Sequence, residues 1–341
     1  MKRIIESSVL AFNLSKTLVY SIEYRMLYGL SKAFSFAVRP PRRENDKELI
    51  EYLKSKVISI HKKDASYIAD GIYPAEVIIP KAPKNHLKNL PRLLFDSLKV
   101  SRRRKLNKKK DLEDIDEVNQ APDYLKRNYH FQTDGYFSDE SAKLYEHQVE
   151  VLFSGTAAPM RRMLIKMIKD RLPLGRPLKI LELGAGVGTA TVDFAKSFDI
   201  ESYTVSDISG PYLELAKKRL SGKFEFVKTA AEDLPFKNEE FDLIFSVYLF
   251  HEIPRSVRLK ILDESARVLK KGGMLAICDS IQKDDDPKLN LVVDNFPKDY
   301  HEPFYKDYTL WDAEEAIHSV GLKNVSSQFE LLSKYWTAFK V

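Results

Sequence analysis

The chain has 341 residues, 44% hydrophobic and 30% charged, with a single cysteine. That length suggests about two domains with a sizeable core, and the composition excludes fibrous and low-complexity protein. The lone Cys278 excludes an intramolecular disulfide and a cysteine-based zinc site; it reads as a buried structural thiol in a reducing, cytoplasmic setting. No apolar run reaches the roughly 18 residues of a membrane-spanning helix. The net charge of +6 hides an asymmetry: residues 1–110 hold 25 basic and 10 acidic side chains, the remainder 30 and 39.

Apolar residues at Ile5, Val9, Phe12, Leu18, Ile22, Leu27, Leu30 and Phe34 predict one long helix, or two short ones, over 4–38. The start has the basic, acid-poor bias of a targeting segment, but the periodicity runs through it, so it reads as folded protein. Arg39-Pro40-Pro41 stops the pattern. A second helix is expected over 45–70, with Leu49, Tyr52, Leu53, Val57, Ile60 and Ile68 on its apolar face. Residues 71–83 form a proline-punctuated extended stretch. A short helix over 87–100 precedes "SRRRKLNKKKD" (101–111), a dense basic run read as a linker. A helical segment from about 138 to 170 leads into the second half.

From Leu178 apolar strands alternate with amphipathic helices. "LKILELG", "IESYTVSD", "KFEFVKT", "FDLIFSVYLF" and "GGMLAICDS" are strands, and 188–198, 210–221, 255–270 and 309–320 are helices. The tail from about 323 supplies one or two more strands. This alternation indicates a parallel sheet covered on both faces.

The first of these strands runs into Gly184, Ala185, Gly186, Val187 and Gly188. Glycine permits positive φ and lets a ligand approach bare backbone, and ligands of doubly wound sheets bind beyond the strands' carboxyl ends. The loop should therefore cradle a nucleotide-like cofactor. Its G-x-G-x-G spacing differs from the dinucleotide fingerprint. The preceding Glu182 suits a cationic amine better than a pyrophosphate. Asp207, about 20 residues on at the end of the second strand, could accept from both hydroxyls of a ribose.

"LELGAGVGT", "VSDIS", "AAEDLPF", "FDLIFSVYLFHEIP" and "RVLKKGGMLAICD" resemble, in order and at ordinary spacing, the successive motifs of class I S-adenosylmethionine-dependent methyltransferases. In texture they are nearest to the small-molecule and quinone C-methyltransferases of the ubiquinone/menaquinone type. The resemblance covers about 176–325. It implies an α/β fold with a Rossmann-like, doubly wound, mostly parallel seven-stranded sheet, here with a mainly helical N-terminal extension. It also implies S-adenosyl-L-methionine as cofactor and S-adenosyl-L-homocysteine as product. By the same resemblance Glu182, Gly184, Ala185, Gly186 and Gly188 hold the methionine part and ribose, Asp207 the ribose hydroxyls, and Ile208 packs on the adenine. Ala231, Glu232, Asp233 and Leu234 line the adenine pocket, with Val247 closing the fourth strand. One position departs from the pattern: Ala230 stands where many relatives carry an acid that meets the adenine amino group.

Methyl transfer from a sulfonium is an in-line displacement, so alignment supplies much of the rate, and a general base assists an acidic nucleophile. Candidates follow the fourth strand: Tyr248, Phe250, His251 and Glu252. His251 is the residue type that titrates near neutrality; its bland alternative is a histidine bonded to backbone at a helix entry. A second His-Glu pair, His301 and Glu302, stands with Tyr305 where a substrate lid would be inserted. Tyr129, His130, Tyr136 and His147, preceding the first strand, are further lid candidates. No compact metal-ligand spacing occurs, so no metal is expected.

Three uses are open for the basic front half. It could cap a lipophilic small acceptor. Its first helix, with Lys2, Arg3, Lys16, Arg25, Lys32, Arg39, Arg42 and Arg43 around it, could lie on an anionic membrane. It could dock RNA or protein for methylation, which carries less support because no RNA-binding module is evident. A further reading from another class is a regulator that binds S-adenosylmethionine without turnover. The organisation expected is a helical basic domain over 1–120, a connecting or lid segment over 121–175 and the cofactor-binding domain over 176–341. The oligomeric state is not legible.

Overall fold

The computed structural model describes residues 1–33, 46–78, 83–112, 116–173 and 175–341. Phe34 and Arg39-Pro40-Pro41 lie outside the described residues. Two compact units emerge, Met1–Pro159 with Asp299–His301, and Met160–Lys298 with Glu302–Val341. No helix among the described residues is long and apolar enough to cross a membrane.

The first unit is helical: α1 (Lys2–Ala33), α2 (Asp46–Ala69), α3 (Pro83–Lys105), α4 (Asp116–Gln120) and α5 (Asp139–Leu152). Of the expected α2 face, Ile60 and Ile68 are buried and Leu49, Tyr52, Leu53 and Val57 are half-buried. The seam between α1 and α2 contains a buried polar cluster. Asp64 accepts from Asn13 at 2.8 Å and from the Tyr73 hydroxyl at 2.7 Å, and Thr17 meets His61 at 2.8 Å. Buried polar groups are tolerated only when bonded in this way. On α1, however, Leu18 and Ile22 are exposed rather than buried. The helix carries apolar residues on two sides, and a period of 3.6 does not say which side meets the core. The basic run is not a linker at its start. Arg102 to Lys105 form the last turn of α3, where cations favour the helix carbonyl end.

The helix expected over 138–170 is two. α5 is capped by Ser138, whose hydroxyl accepts from the Ser141 N–H, and it ends before Gly155 at φ +78°. α6 (Ala157–Arg171) then begins.

In the second unit β1 (Leu178–Leu183), α7 (Thr189–Ala195), β2 (Ile200–Asp207), α8 (Gly210–Arg219), β3 (Phe224–Lys228), β4 (Phe241–Val247), α9 (Arg255–Val268) and β5 (Leu269–Ser280) follow one another. Next come α10 (Asn290–Tyr300), α11 (Tyr305–Thr309), α12 (Ala313–Ser319), β6 (Leu322–Glu330) and β7 (Ser333–Lys340). The helix expected over 309–320 begins only at Ala313, after a break that follows α11, and Asp312 caps it by accepting from the Glu315 N–H. The sheet has seven strands in the order β3-β2-β1-β4-β5-β7-β6. All neighbours are parallel except β7, which runs antiparallel to both β5 and β6.

Strands β1 and β4 are central and covered on both faces, which is why they read as nearly unbroken apolar runs. Phe194 of α7 stacks on Phe245 of β4, ring centroids 3.9 Å apart, and Tyr203 meets Phe245 edge-on. The order of strands reverses between β1 and β4, the switch point outside which such sheets bind ligands.

Candidate active site

Parallel register brings the carboxyl ends of the central strands level. Leu183 pairs with Ser206 on one side and Ser246 on the other, Asp207 with Lys228, and Val247 with Cys278. The loop after β1, Asp207, the 230–234 turn and the segment after β4 therefore gather at one edge of the sheet.

The glycine loop takes the left-handed conformation at Gly184, Gly186 and Gly188, with φ of +62°, +58° and +74°. Two of them answer to different needs. A Cβ on Gly188 would sit 3.2 Å from Ala216 of α8 and from Leu220 beside it, a tight contact that adds to the strain of its positive φ. A Cβ on Gly186 would have no neighbour nearer than Tyr212 at 3.9 Å, so this position presents open backbone to a ligand. The Gly186 N–H donates to one oxygen of Asp207 at 2.7 Å, and the Ser209 N–H to the other at 2.8 Å. Burial pushes the Asp207 carboxyl up to about 6, against the pull of these N–H groups. Each oxygen retains a second lone pair for a ligand hydroxyl. Ile208 follows directly.

Glu182 lies beneath this loop and is 1% exposed. One of its oxygens accepts from the Thr191 and Tyr203 hydroxyls, each at 2.7 Å, tying α7 and β2 to β1. Burial raises its pKa to about 7, those two bonds opposing and the Asp207 charge adding. The turn after β3 is fastened from α9: Glu264 accepts from the Leu234 N–H at 2.8 Å, and Arg267 donates to the Leu234 and Phe236 carbonyls. Leu234 is buried, Ala230, Ala231 and Glu232 are half-buried, and Asp233 is exposed. Val247 is half-buried at the end of β4.

Beyond β4 the chain turns sharply. Tyr248 adopts φ +58°, an uncommon conformation for a bulky residue, and its N–H donates to the Cys278 carbonyl at 2.8 Å. Its hydroxyl pairs with Ser333 at 2.6 Å, and burial holds it well above the ordinary tyrosine value, so it is a neutral phenol. The turn Phe250–Glu252 then presents His251. The His251 Nδ1 lies 2.6 Å from Asp279, a side chain with no exposure at the end of β5. Asp279 is held in turn by the N–H groups of Phe250 and Ser280, both at 2.7 Å. Burial pulls the imidazole pKa down, but the charge and hydrogen bond of Asp279, with Glu302 and Glu252 adding, reverse this and raise it to about 9. Tyr305 and Tyr308 pack edge-on against the ring, and Glu252 stands 4.0 Å from its Nε2. The Tyr305 hydroxyl meets Ser280 at 2.6 Å.

The sequence reading thus converges on one cluster of Tyr248, His251, Glu252, Glu302 and Tyr305, all in the second unit. Phe250 turns inward instead and stacks on Trp311, ring centroids 5.9 Å apart. His301 belongs to the first unit, packed on Phe131, where burial and the Lys109, Arg127 and His130 charges lower its pKa to about 4. In that unit Tyr129 stacks on Tyr136, His130 sits at φ +53°, and His147 pairs with the buried Glu23 of α1 at 2.8 Å.

Two side chains that hold this cluster were missed in the sequence. Asp279 ends the strand motif "AICDS", and an acid at a strand's carboxyl end was the available signal. Arg258 left none. Buried in α9, it donates to the Phe250 and Phe304 carbonyls and to Asp307 at 2.7 Å, and lies over Tyr308 and Trp311, fixing the turn that carries His251.

Residues 180–273 match the family model described as a methyltransferase domain. An uncharacterised protein of Methanocaldococcus jannaschii is 36% identical over 168 residues, 48% of this chain and 72% of that protein. The ubiquinone/menaquinone biosynthesis C-methyltransferase of Rhizobium etli is 30% identical over 159 residues, 45% of this chain; the match spans 60% of its own length. A SAM-dependent methyltransferase structure from Aquifex aeolicus is similar at a TM-score of 0.45 and 18% identity, over 60% of this chain and all of that one. The chain carries a class I S-adenosylmethionine-dependent methyltransferase domain and is similar in sequence to the quinone methyltransferases.

Proposed function

We propose that this enzyme methylates a small, partly apolar acceptor, with His251 as general base and Asp279 as the residue that positions it. The observation that carries the reading is the buried His251–Asp279 pair at the edge of the sheet where the glycine loop lies, walled by Tyr305 and Tyr308. The residues present fit the cofactor. Gly186 leaves a cradle that a side chain would fill, and Asp207 keeps acceptor capacity for ribose hydroxyls. Gly184, Ala185, Gly188, Ile208, Ala231, Glu232, Asp233, Leu234 and Val247 complete the proposed cofactor set. Glu182 supports it from below through Thr191 and Tyr203. Since Ala230 offers no acid, the adenine amino group is left to Glu232 or a backbone carbonyl.

When bound, the cofactor supplies an electrophilic methyl on a sulfonium, whose loss leaves a neutral thioether. The chain's own part is to orient the nucleophile and take its proton. Asp279 accepts from the imidazole Nδ1–H, which leaves Nε2 as the basic atom in the neutral ring. With a pKa of about 9, His251 is mostly protonated at neutral pH before the acceptor arrives. The reaction therefore favours alkaline conditions. A mixed aromatic and carboxylate wall suits an acceptor with an apolar body and one ionisable group. The quinone C-methyltransferase relative is in keeping with such an acceptor. The free, buried Cys278 suits a cytoplasmic protein.

The test is transfer of a radiolabelled methyl group from S-adenosylmethionine into a cell extract, followed by organic–aqueous partition. Label in the organic phase supports this reading. Label in nuclease- or protease-sensitive material replaces it with a nucleic-acid or protein acceptor. Tight cofactor binding with no labelled product at all points to a regulator without turnover.

A further inference from the structure

The first helix has two faces of different character. At 32 residues it is about 48 Å long. Its inner face is committed to the first unit: Val9, Asn13 and Glu23 are buried, and Tyr20 and Leu27 pack on Leu93, Leu144 and Val151. Its outer face is apolar, and no described residue covers it. Ile4, Leu14, Leu18, Val19, Ile22 and Met26 are exposed there, Leu18 by 63% and Ile22 by 47%. Residues 14, 18, 22 and 26 recur every fourth position and so form one stripe.

The charges on this helix are one-sided. Arg3, Arg25 and Lys32 are exposed, and no exposed residue of α1 is acidic. Its two acids are elsewhere: Glu23 is buried against His147, and Glu6 is half-buried. Tyr24 and Tyr28, side chains with an apolar body and a polar tip, are exposed as well.

We propose that this face docks the protein on an anionic lipid bilayer, with α1 lying in the plane of the headgroups. Leu14, Leu18, Ile22 and Met26 enter the acyl boundary, while Arg3, Arg25 and Lys32 meet lipid phosphates. Charge complementarity selects this occupant. A second copy of the same face would set Arg25 and Lys32 against like charges with no acid to answer them. A nucleic acid would satisfy the cations and leave the apolar stripe wet. An anionic bilayer answers both. The inference is independent of the acceptor and of methyl transfer, and its test requires neither.

The full chain is mixed with large unilamellar vesicles of phosphatidylcholine and phosphatidylserine (70:30), or of phosphatidylcholine alone, and sedimented. Binding to the anionic vesicles is expected to be at least about tenfold tighter, and to weaken as salt rises from 0.1 to about 0.5 M. The double substitution Leu18→Ser and Ile22→Ser should weaken it about tenfold or more. Both sites are exposed, so the variant's melting curve should match that of the parent. Failure to sediment with anionic vesicles overturns the proposal, as does equal sedimentation of parent and variant. Light scattering on the same samples supplies a further check. A dimer that the two serines dissolve would assign the face to a second copy instead.

Discussion

Replacing Asp279 with asparagine keeps the shape of the pair with His251 and removes its charge. In the parent the imidazole is buried, which alone would lower its pKa, yet the neighbouring carboxylates hold it at about 9. Measured from the ordinary 6.5, that gap amounts to about 3 kcal/mol at about 1.4 kcal/mol per pKa unit. With the first carboxylate gone, burial regains ground, and the midpoint should fall by about two units. Carbon–proton correlation spectra of the seven histidine rings across pH 5 to 10 follow this directly, with His251→Ala identifying the signal. The sign for stability is definite. A pKa raised in the folded state contributes stability that is complete below 6.5 and is lost as pH climbs through about 9. Urea unfolding of the parent should therefore weaken over that interval, and Asp279→Asn should lose most of the dependence. A His251 midpoint that stays within half a unit in the variant would refute the coupling, and with it the positioning role of Asp279.

Substituting Gly186 with valine adds a strain of about 1–2 kcal/mol at positive φ and fills the open cradle; calorimetry should show S-adenosylmethionine affinity reduced at least about a hundredfold, and unchanged affinity would remove the loop from the site. His251→Ala should slow turnover about a hundredfold or more while leaving cofactor affinity intact, since a general base acts on the chemical step; parental turnover would exclude it from the mechanism. Glu182, raised to about 7 in the fold from an ordinary 4.5, favours the folded state when protonated, so it makes stability fall as pH rises from about 4.5 to 7. Glu182→Gln should flatten that segment of the stability curve, as read by urea titrations at pH 5 and 8. Arg258→Ala leaves two carbonyls and Asp307 without their donor and should cost about 3 kcal/mol, seen as a lower unfolding midpoint; a loss under about 0.5 kcal/mol would contradict its role in fixing the His251 turn.

Much of the second unit was legible because its signals are local. Strand, glycine loop and helix each occupy a few consecutive residues, and positive φ at Gly186 is a demand of the backbone itself. The limits "IESYTVSD" for β2 coincide with those observed, since β-branched and aromatic residues, which suit a strand, run up to the closing Asp207. Helix breaks at Gly155 and before Asp312 were passed over, because one turn of irregular chain hardly disturbs an apolar period.

The sequence by itself determined the type of fold, the glycine loop, Asp207 and the neighbourhood of His251. It could not determine what lies 28 residues from that histidine. Only the register of β4 on β5 brings Asp279 to its Nδ1, and with it the charge that sets its proton. The same holds for Phe250, an aromatic in a candidate motif that tertiary packing turns onto Trp311. It holds again for α1, whose two apolar sides look alike in a linear pattern. Among the described residues one has its unit packed against it and the other is exposed, and that difference is a property of the folded chain, because burial is decided by neighbours distant in sequence.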